Sequence, residues 1–202
     1  MREVPPHVCR RIVMIRHGHY ERNGDLGDTV WGLSPPGRLG VARLVESAHG
    51  KFEGLYASPW PRASQTAEIA AREMELSSVR IKPYLHEVTP LVDPRRFSHP
   101  MVPPDTEPTP ARDRVAAHRQ ADKVYDRFFK TPSRPGLVLL FTHGNLIRFM
   151  VARILRLPYE SWALMDIAHC GITEIRVYAG GFEALVGFNE TGHLPPSMVT
   201  TS

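Results

Sequence analysis

The sequence predicts an α/β fold, with three α/β/α layers around a mostly parallel central sheet. Two observations carry that expectation. Ile12, Val13, Met14 and Ile15 of "RIVMI" (residues 11–15) and "GLVLLF" at 136–141 are apolar without interruption, as strands buried on both faces of a parallel sheet are. Strand-like and helix-like segments also alternate along the chain, the pattern of strand–helix–strand crossovers.

In order, the first strand is followed by a glycine-rich loop through residue 34. "SPPGRLGVARLVESAH" then reads as a helix from about Pro36, with Ser34 as its cap and proline in its first turn. "GLYAS" is a short strand. "PRASQTAEIAAREME" is a helix with Ala63, Thr66, Ala67, Ile69 and Ala70 turned inward. "VRIKPYL" reads as a third strand, ending before His86 and Glu87. Residues 111–130 form a long amphipathic helix, with Val115, Ala116, Val124, Phe128 and Phe129 at helical spacing. "GLVLLFTH" is the second buried strand, and "NLIRFMVARIL" is a helix that starts at once after it. "GITEIRVY" and "FEALVGFN" alternate as strands do, and Ala179-Gly180-Gly181 joins them into a hairpin. That hairpin adds antiparallel character to the sheet. Residues 90–110 break the alternation: seven prolines exclude helix and central strand. Loops of this length are usually functional or disordered, so a lid and a surface excursion are equally open.

The 202 residues, 42% hydrophobic and 23% charged, suit one sizeable globular domain. No apolar run approaches the roughly 20 residues that span a bilayer. "MREVPPHVCRR" lacks the apolar centre of a secretory signal and does not look like a transit peptide. Cys9 and Cys170 make neither a disulfide framework nor a metal-ligand spacing. The expectation is a cytoplasmic protein with reduced thiols. A net charge of +4 suits an anionic ligand. Basic residues are spread along the chain rather than clustered, and no nucleic-acid motif is found, which argues against a nucleic-acid partner.

Both buried strands end in the same way. The first runs into Arg16-His17-Gly18, and the second into His143-Gly144. Open α/β sheets bind ligands outside the carboxyl ends of their strands. The first triplet alone fits a solvated strand end equally well, but two such ends can converge if their strands are neighbours. Arg62 stands in the first turn of a helix, where the helix end favours anions and a guanidinium fork suits phosphate oxygens.

"RHG", "SPWPRASQTA", "LHE" and "THGNLIR", in that order, resemble the histidine phosphatase superfamily, which includes cofactor-dependent phosphoglycerate mutases. "NLIRFMVARILRLPYESW", "GITEIRV" and "NETGHLPP" resemble its branch of mitochondrial serine/threonine protein phosphatases. The resemblance implies a phosphoglycerate mutase-like fold, with residues 1–202 as a single histidine phosphatase domain. It implies a metal-independent phosphomonoester phosphatase with no cofactor, acting through a phosphohistidine. His17 would be the nucleophile, since a neutral imidazole is available near neutral pH. Arg16, Arg62 and His143 would surround the phosphoryl oxygens, with Asn23 and the Gly144 backbone as further contacts. Glu87 would be the general acid, kept protonated by the substrate phosphate, and would then activate water. Tyr20 departs from the small hydroxyl residue of the family pattern. His19, His86 and His169 are expected to be structural or substrate-lining. The partner would be a phosphorylated protein or small molecule, and the chain a homodimer. That branch has an N-terminal membrane anchor; none is seen here, so no membrane partner is expected.

A small-metabolite phosphatase remains open, because specificity lives in loops. A mutase is disfavoured: the family's insert of paired tyrosines and basic residues is missing, and residues 88–110 are proline-rich instead. A scaffold that grips a phosphorylated partner would be expected to lack one of His17, Arg16, Arg62, Glu87 or His143, and all five are present.

Overall fold

A computed structural model describes residues 8–20, 52–76, 78–94 and 105–201. Its sheet has six strands: β1 (Cys9–Arg16), β2 (Phe52–Ala57), β3 (Arg80–Ile81), β4 (Gly136–Thr142), β5 (Ile172–Tyr178) and β6 (Glu183–Glu190). Their order is β3-β2-β4-β1-β5-β6. The first four strands pair in parallel, whereas β5 and β6 run as the expected antiparallel hairpin beside β1. The mostly parallel α/β expectation therefore holds. At the hairpin turn Gly181 has φ +78°, a backbone that glycine adopts without cost.

The apolar runs sit at the centre because both of their faces are covered. Ile12, Met14, Val138 and Leu140 pack on one side with α2 (Ala111–Phe128) and α3 (Gly144–Ile154). Val13, Ile15, Leu137, Leu139 and Phe141 pack on the other with α1 (Pro61–Glu73). Each fully buried side chain of this kind contributes about 1.5–3 kcal/mol. The β1–β4 register pairs Ile12 with Val138 and Arg16 with Thr142, so the two strands end level with each other. That level ending brings the two histidine-bearing ends together.

Three expectations need correction or limits. "VRIKPYL" is not one strand: β3 is two exposed residues, and a 3-10 turn at Pro83–Leu85 follows. Pro83 has no N–H for a ladder and its fixed φ favours the turn. The turn buries Leu85 and delivers His86 and Glu87 to the C-terminal edge of the sheet. In α2 the inward face is Ala117, Ala121, Val124 and Phe128, while Val115 and Ala116 are exposed. Residues 117, 121, 124 and 128 recur at three- and four-residue spacing and form one stripe, and the helix packs on α3 and the 3-10 turn. The helix expected from Pro36 lies outside the described residues.

The roots of the proline-rich segment are pinned together. The Val92 N–H donates to Thr109 Oγ1, and the Thr109 N–H donates to the Val92 carbonyl. Trp162 Nε1 holds the Leu91 carbonyl at 2.8 Å. The stretch between these roots, where a lid would lie, falls largely outside the described residues.

Candidate active site

The site grows from the level ends of β1 and β4. The His17 N–H continues the ladder to the Thr142 carbonyl, and the Ser58 N–H donates to the Phe141 carbonyl from the other side of β4. The His17 and His143 rings meet edge-on, 5.1 Å apart between centres. Both are buried. Helix α1 starts three residues after Ser58 and carries Arg62 in its first turn. Helix α3 starts at Gly144, with His143 as its cap. Two helix N-termini, neither with an acidic residue in its first turn, thus open onto one site.

The hydrogen bonds of His17 define its proton. Nδ1 lies 2.9 Å from the Gly18 carbonyl, which can only accept, so Nδ1 carries the hydrogen. Arg62 Nε, which can only donate, lies 3.1 Å from His17 Nε2. The ring is therefore neutral, with the Nε2 lone pair turned to a guanidinium. Burial, then His143 and Arg16, holds the His17 pKa well below the usual histidine value. Burial and the two arginines do the same for His143. His143 Nε2 is 2.8 Å from Ser58 Oγ, and its Nδ1 has no hydrogen-bond partner among the described residues.

Arg16 is buried, and its Nη1 donates to the carbonyls of Ile167 and Thr201. Burial lowers its pKa to about 10, which leaves it charged at neutral pH. Arg16, Glu87 and Gly144 line one cavity of about 700 Å³. An added Cβ at Gly144 would come within 3.2 Å of Ile167 and 3.6 Å of Arg16 Nε, so only a small residue leaves this wall undisturbed. Glu87 Oε1 accepts from the N–H groups of Val88 and Asn145, each at 3.1 Å. Burial raises its pKa to about 7 against the opposing pull of Arg16. The protein itself therefore supplies the shift that was expected from a bound phosphate.

The structure thus brings Arg16, His17, Arg62, Glu87, His143 and Gly144 to one sheet edge. Asn23 lies outside the described residues. Three contributors escaped the sequence reading. Ser58, a hydroxyl at a strand end within "SPWPRASQTA", orients His143. Thr200 and Thr201, distant in sequence, hold His169 and Arg16. His169 is buried 5.4 Å from the His17 ring, and burial with Arg16 lowers its pKa to about 2. His86 stacks beside Trp60, and its carbonyl is held by Gln120. Among the described residues no group of three histidine, cysteine or carboxylate side chains could hold a metal, and no helix is long and apolar enough to cross a membrane.

These shifts make a prediction about stability. Four histidines, His17, His143, His169 and His193, have folded pKa values below 6.5. The unfolded chain then binds more protons than the folded one as pH falls below 6.5. Glu87, raised to about 7, opposes this by one group. Stability should fall between pH 6.5 and 5 by about 1.4 kcal/mol per pH unit for each net proton taken up. Chemical denaturation at several pH values checks it; an unchanged midpoint across that window would contradict the buried neutral histidines.

Comparison with known proteins fits this geometry. A family model described as histidine phosphatase superfamily (branch 1) matches residues 12–90 and 93–191. The mitochondrial serine/threonine-protein phosphatase Pgam5 of Drosophila grimshawi is 28% identical over 205 residues, covering 96% of this chain and 68% of that protein. Its Caenorhabditis elegans counterpart is 28% identical, covering 96% of this chain and 67% of that protein. A phosphoserine phosphatase from Entamoeba histolytica, solved with phosphoserine, shares the fold at TM-score 0.67 and 20% identity, covering 92% of this chain and 100% of its own. A mycobacterial glucosyl-3-phosphoglycerate phosphatase does so at TM-score 0.64 and 22% identity, covering 91% and 100%. The phosphoglycerate mutase of Plasmodium falciparum does so at TM-score 0.62 and 20% identity, covering 97% and 100%. The expectation of a cytoplasmic location is corrected: the named relatives are mitochondrial. A folded phosphatase domain needs the same sheet and site in either compartment, so its composition carries no address.

Proposed function

Because the chain belongs to the histidine phosphatase superfamily, and is a phosphatase on that ground, we propose that it hydrolyses phosphomonoesters in two steps through His17, with phosphorylated serine or threonine side chains of proteins as its substrates. The observation that carries the reading is the protonation pattern of His17. Its Nδ1–H is committed to a carbonyl, which leaves Nε2 as the nucleophilic nitrogen, its lone pair turned to the Arg62 Nε–H, and Arg16 is a second buried arginine of the site.

In the first step phosphoryl oxygens take N–H groups of Arg16 and Arg62, His143 and the Gly144 backbone. The Nε2 lone pair of His17 forms the N–P bond while the P–O bond to the leaving group breaks. Glu87 gives its proton to that departing oxygen. In the second step the Glu87 carboxylate takes a proton from water. The water oxygen attacks phosphorus, the N–P bond breaks, and the lone pair returns to His17. A carboxyl with a pKa of about 7 can serve in both directions near neutral pH. The domain spans residues 1–202, and the homodimer implied by the resemblance belongs to the same proposal.

The names of the Pgam5 relatives favour protein substrates. The phosphoserine phosphatase and glucosyl-3-phosphoglycerate phosphatase neighbours keep small phosphorylated acids as the second reading. A panel of phosphopeptides, phosphoserine, phosphoglycerates, sugar phosphates and nucleotides, ranked by kcat/KM, decides. Phosphopeptides are expected to rank first, with turnover surviving a chelator. A small acid that outranks every peptide would replace the protein-phosphatase reading. Loss of activity with a chelator, restored by one divalent ion, would replace the metal-free mechanism.

A further inference from the structure

Arg62 is held between two aromatic rings. It is 3% exposed, and its guanidinium carbon lies 4.7 Å from the centre of the Trp60 ring and 4.8 Å from that of Tyr20. The two rings come from separate, anchored segments. Tyr20 follows the end of β1, where the Gly18 N–H donates to Thr66 Oγ1 of α1. Trp60 caps α1, and its carbonyl accepts from the N–H groups of Ala63 and Ser64. Each ring also meets one of the paired histidines edge-on: Tyr20 lies 5.2 Å from His17, and Trp60 lies 4.9 Å from His143.

A guanidinium is attracted to aromatic rings through its flat faces, which leaves its in-plane N–H groups for oxygen acceptors. Two rings restrict the plane of the fork more than one does. The attraction is larger where the cation is shielded from water, as Arg62 is.

We infer that Tyr20 and Trp60 form an aromatic clamp that orients Arg62 for the phosphoryl group. They are positioning residues for phosphate binding, and the ring faces rather than the Tyr20 hydroxyl perform the task. The inference rests on the reading of Arg62 as a phosphate ligand.

Calorimetric titration with inorganic phosphate, together with hydrolysis of an aryl phosphate, tests it. Tyr20→Leu and Trp60→Leu should each weaken phosphate affinity by about ten- to thirtyfold, the range of a desolvated cation–π contact. Tyr20→Phe and Trp60→Phe should recover most of that loss. In an Arg62→Ala background the leucine substitutions should add little, because their effect passes through the missing cation. The phenylalanine variants and a thermal melt separate loss of the clamp from loss of folding. Tyr20→Phe as weak as Tyr20→Leu would overturn the clamp in favour of the hydroxyl. Full additivity with Arg62→Ala would overturn it as well, as would leucine variants that keep wild-type affinity. A wild type that binds phosphate but hydrolyses nothing would overturn the proposed function while phosphate affinity still decides the clamp. A wild type that binds no phosphate would overturn the clamp together with the site reading beneath it.

Discussion

His17→Ala is expected to lower phosphomonoester turnover by about 10⁴-fold or more, because it removes the nitrogen that forms the N–P bond in the proposed mechanism. The fold should survive. The imidazole is neutral and its ladder hydrogen bond to Thr142 belongs to the backbone. Rapid quenching of the wild type with labelled substrate should trap a phosphoenzyme that survives alkali and is lost in acid, and the alanine variant should trap none. A folded His17→Ala protein within tenfold of wild-type turnover would remove His17 as the nucleophile. A wild type that hydrolyses substrate without any acid-labile intermediate would favour direct attack by water.

Glu87→Gln is expected to slow phosphorylation by an alkyl phosphate by about 10²–10⁴-fold, the usual worth of a general acid. An aryl phosphate with a nitro substituent should lose much less, because its leaving group departs without a proton. Single-turnover rates are needed, since the same substitution should also slow hydrolysis of the intermediate. Equal losses for both substrates would make Glu87 a positioning residue. The sign of the stability change is opposite to that of the activity change. Glu87 ionises at about 7 in the fold against an ordinary value of 4.5, so folding is weakened as pH rises through that interval. Glutamine keeps an oxygen for the Val88 and Asn145 N–H groups but has no charge to bury. The slowed variant should therefore be more stable than wild type at pH 8, by about 3 kcal/mol, and similar to it near pH 4.5. Denaturation midpoints at the two pH values measure this directly.

Much of the site was legible because two apolar runs stop abruptly at Arg16-His17 and at His143. Period and burial are local signals, and both strands follow them. Arg62 could be located from a helix start. Glu87 had no such signal: it entered through the family resemblance, and only the fold shows that burial alters its acidity. Ser58, Thr200 and Thr201 depend on chain crossings that no local pattern reports. Tyr20 was visible as a departure, yet its partner Arg62 lies 42 positions on (62 − 20), so its meaning waited for the packing. The miss at "VRIKPYL" has a different origin. Apolar residues alternate there as in a strand, but Pro83 withholds the N–H that a ladder needs. In α2 the expected stripe was partly out of phase: Val124 and Phe128 belong to it, whereas Ala117 and Ala121 occupy the buried positions expected of Val115 and Ala116.

The β1–β4 pairing also has a kinetic meaning. His17 and His143 meet through strands 126 positions apart (143 − 17), and closing so long a segment costs entropy before any contact rewards it. During synthesis, Arg16, His17, Arg62 and Glu87 all emerge before β4 exists to align them. A nascent chain thus holds four of the reactive groups without a working centre, and β4 must insert between β1 and β2, as the sheet order requires, before the pocket can form. Chemical competence is in this sense a late event of folding, reached by a long-range closure rather than built up turn by turn.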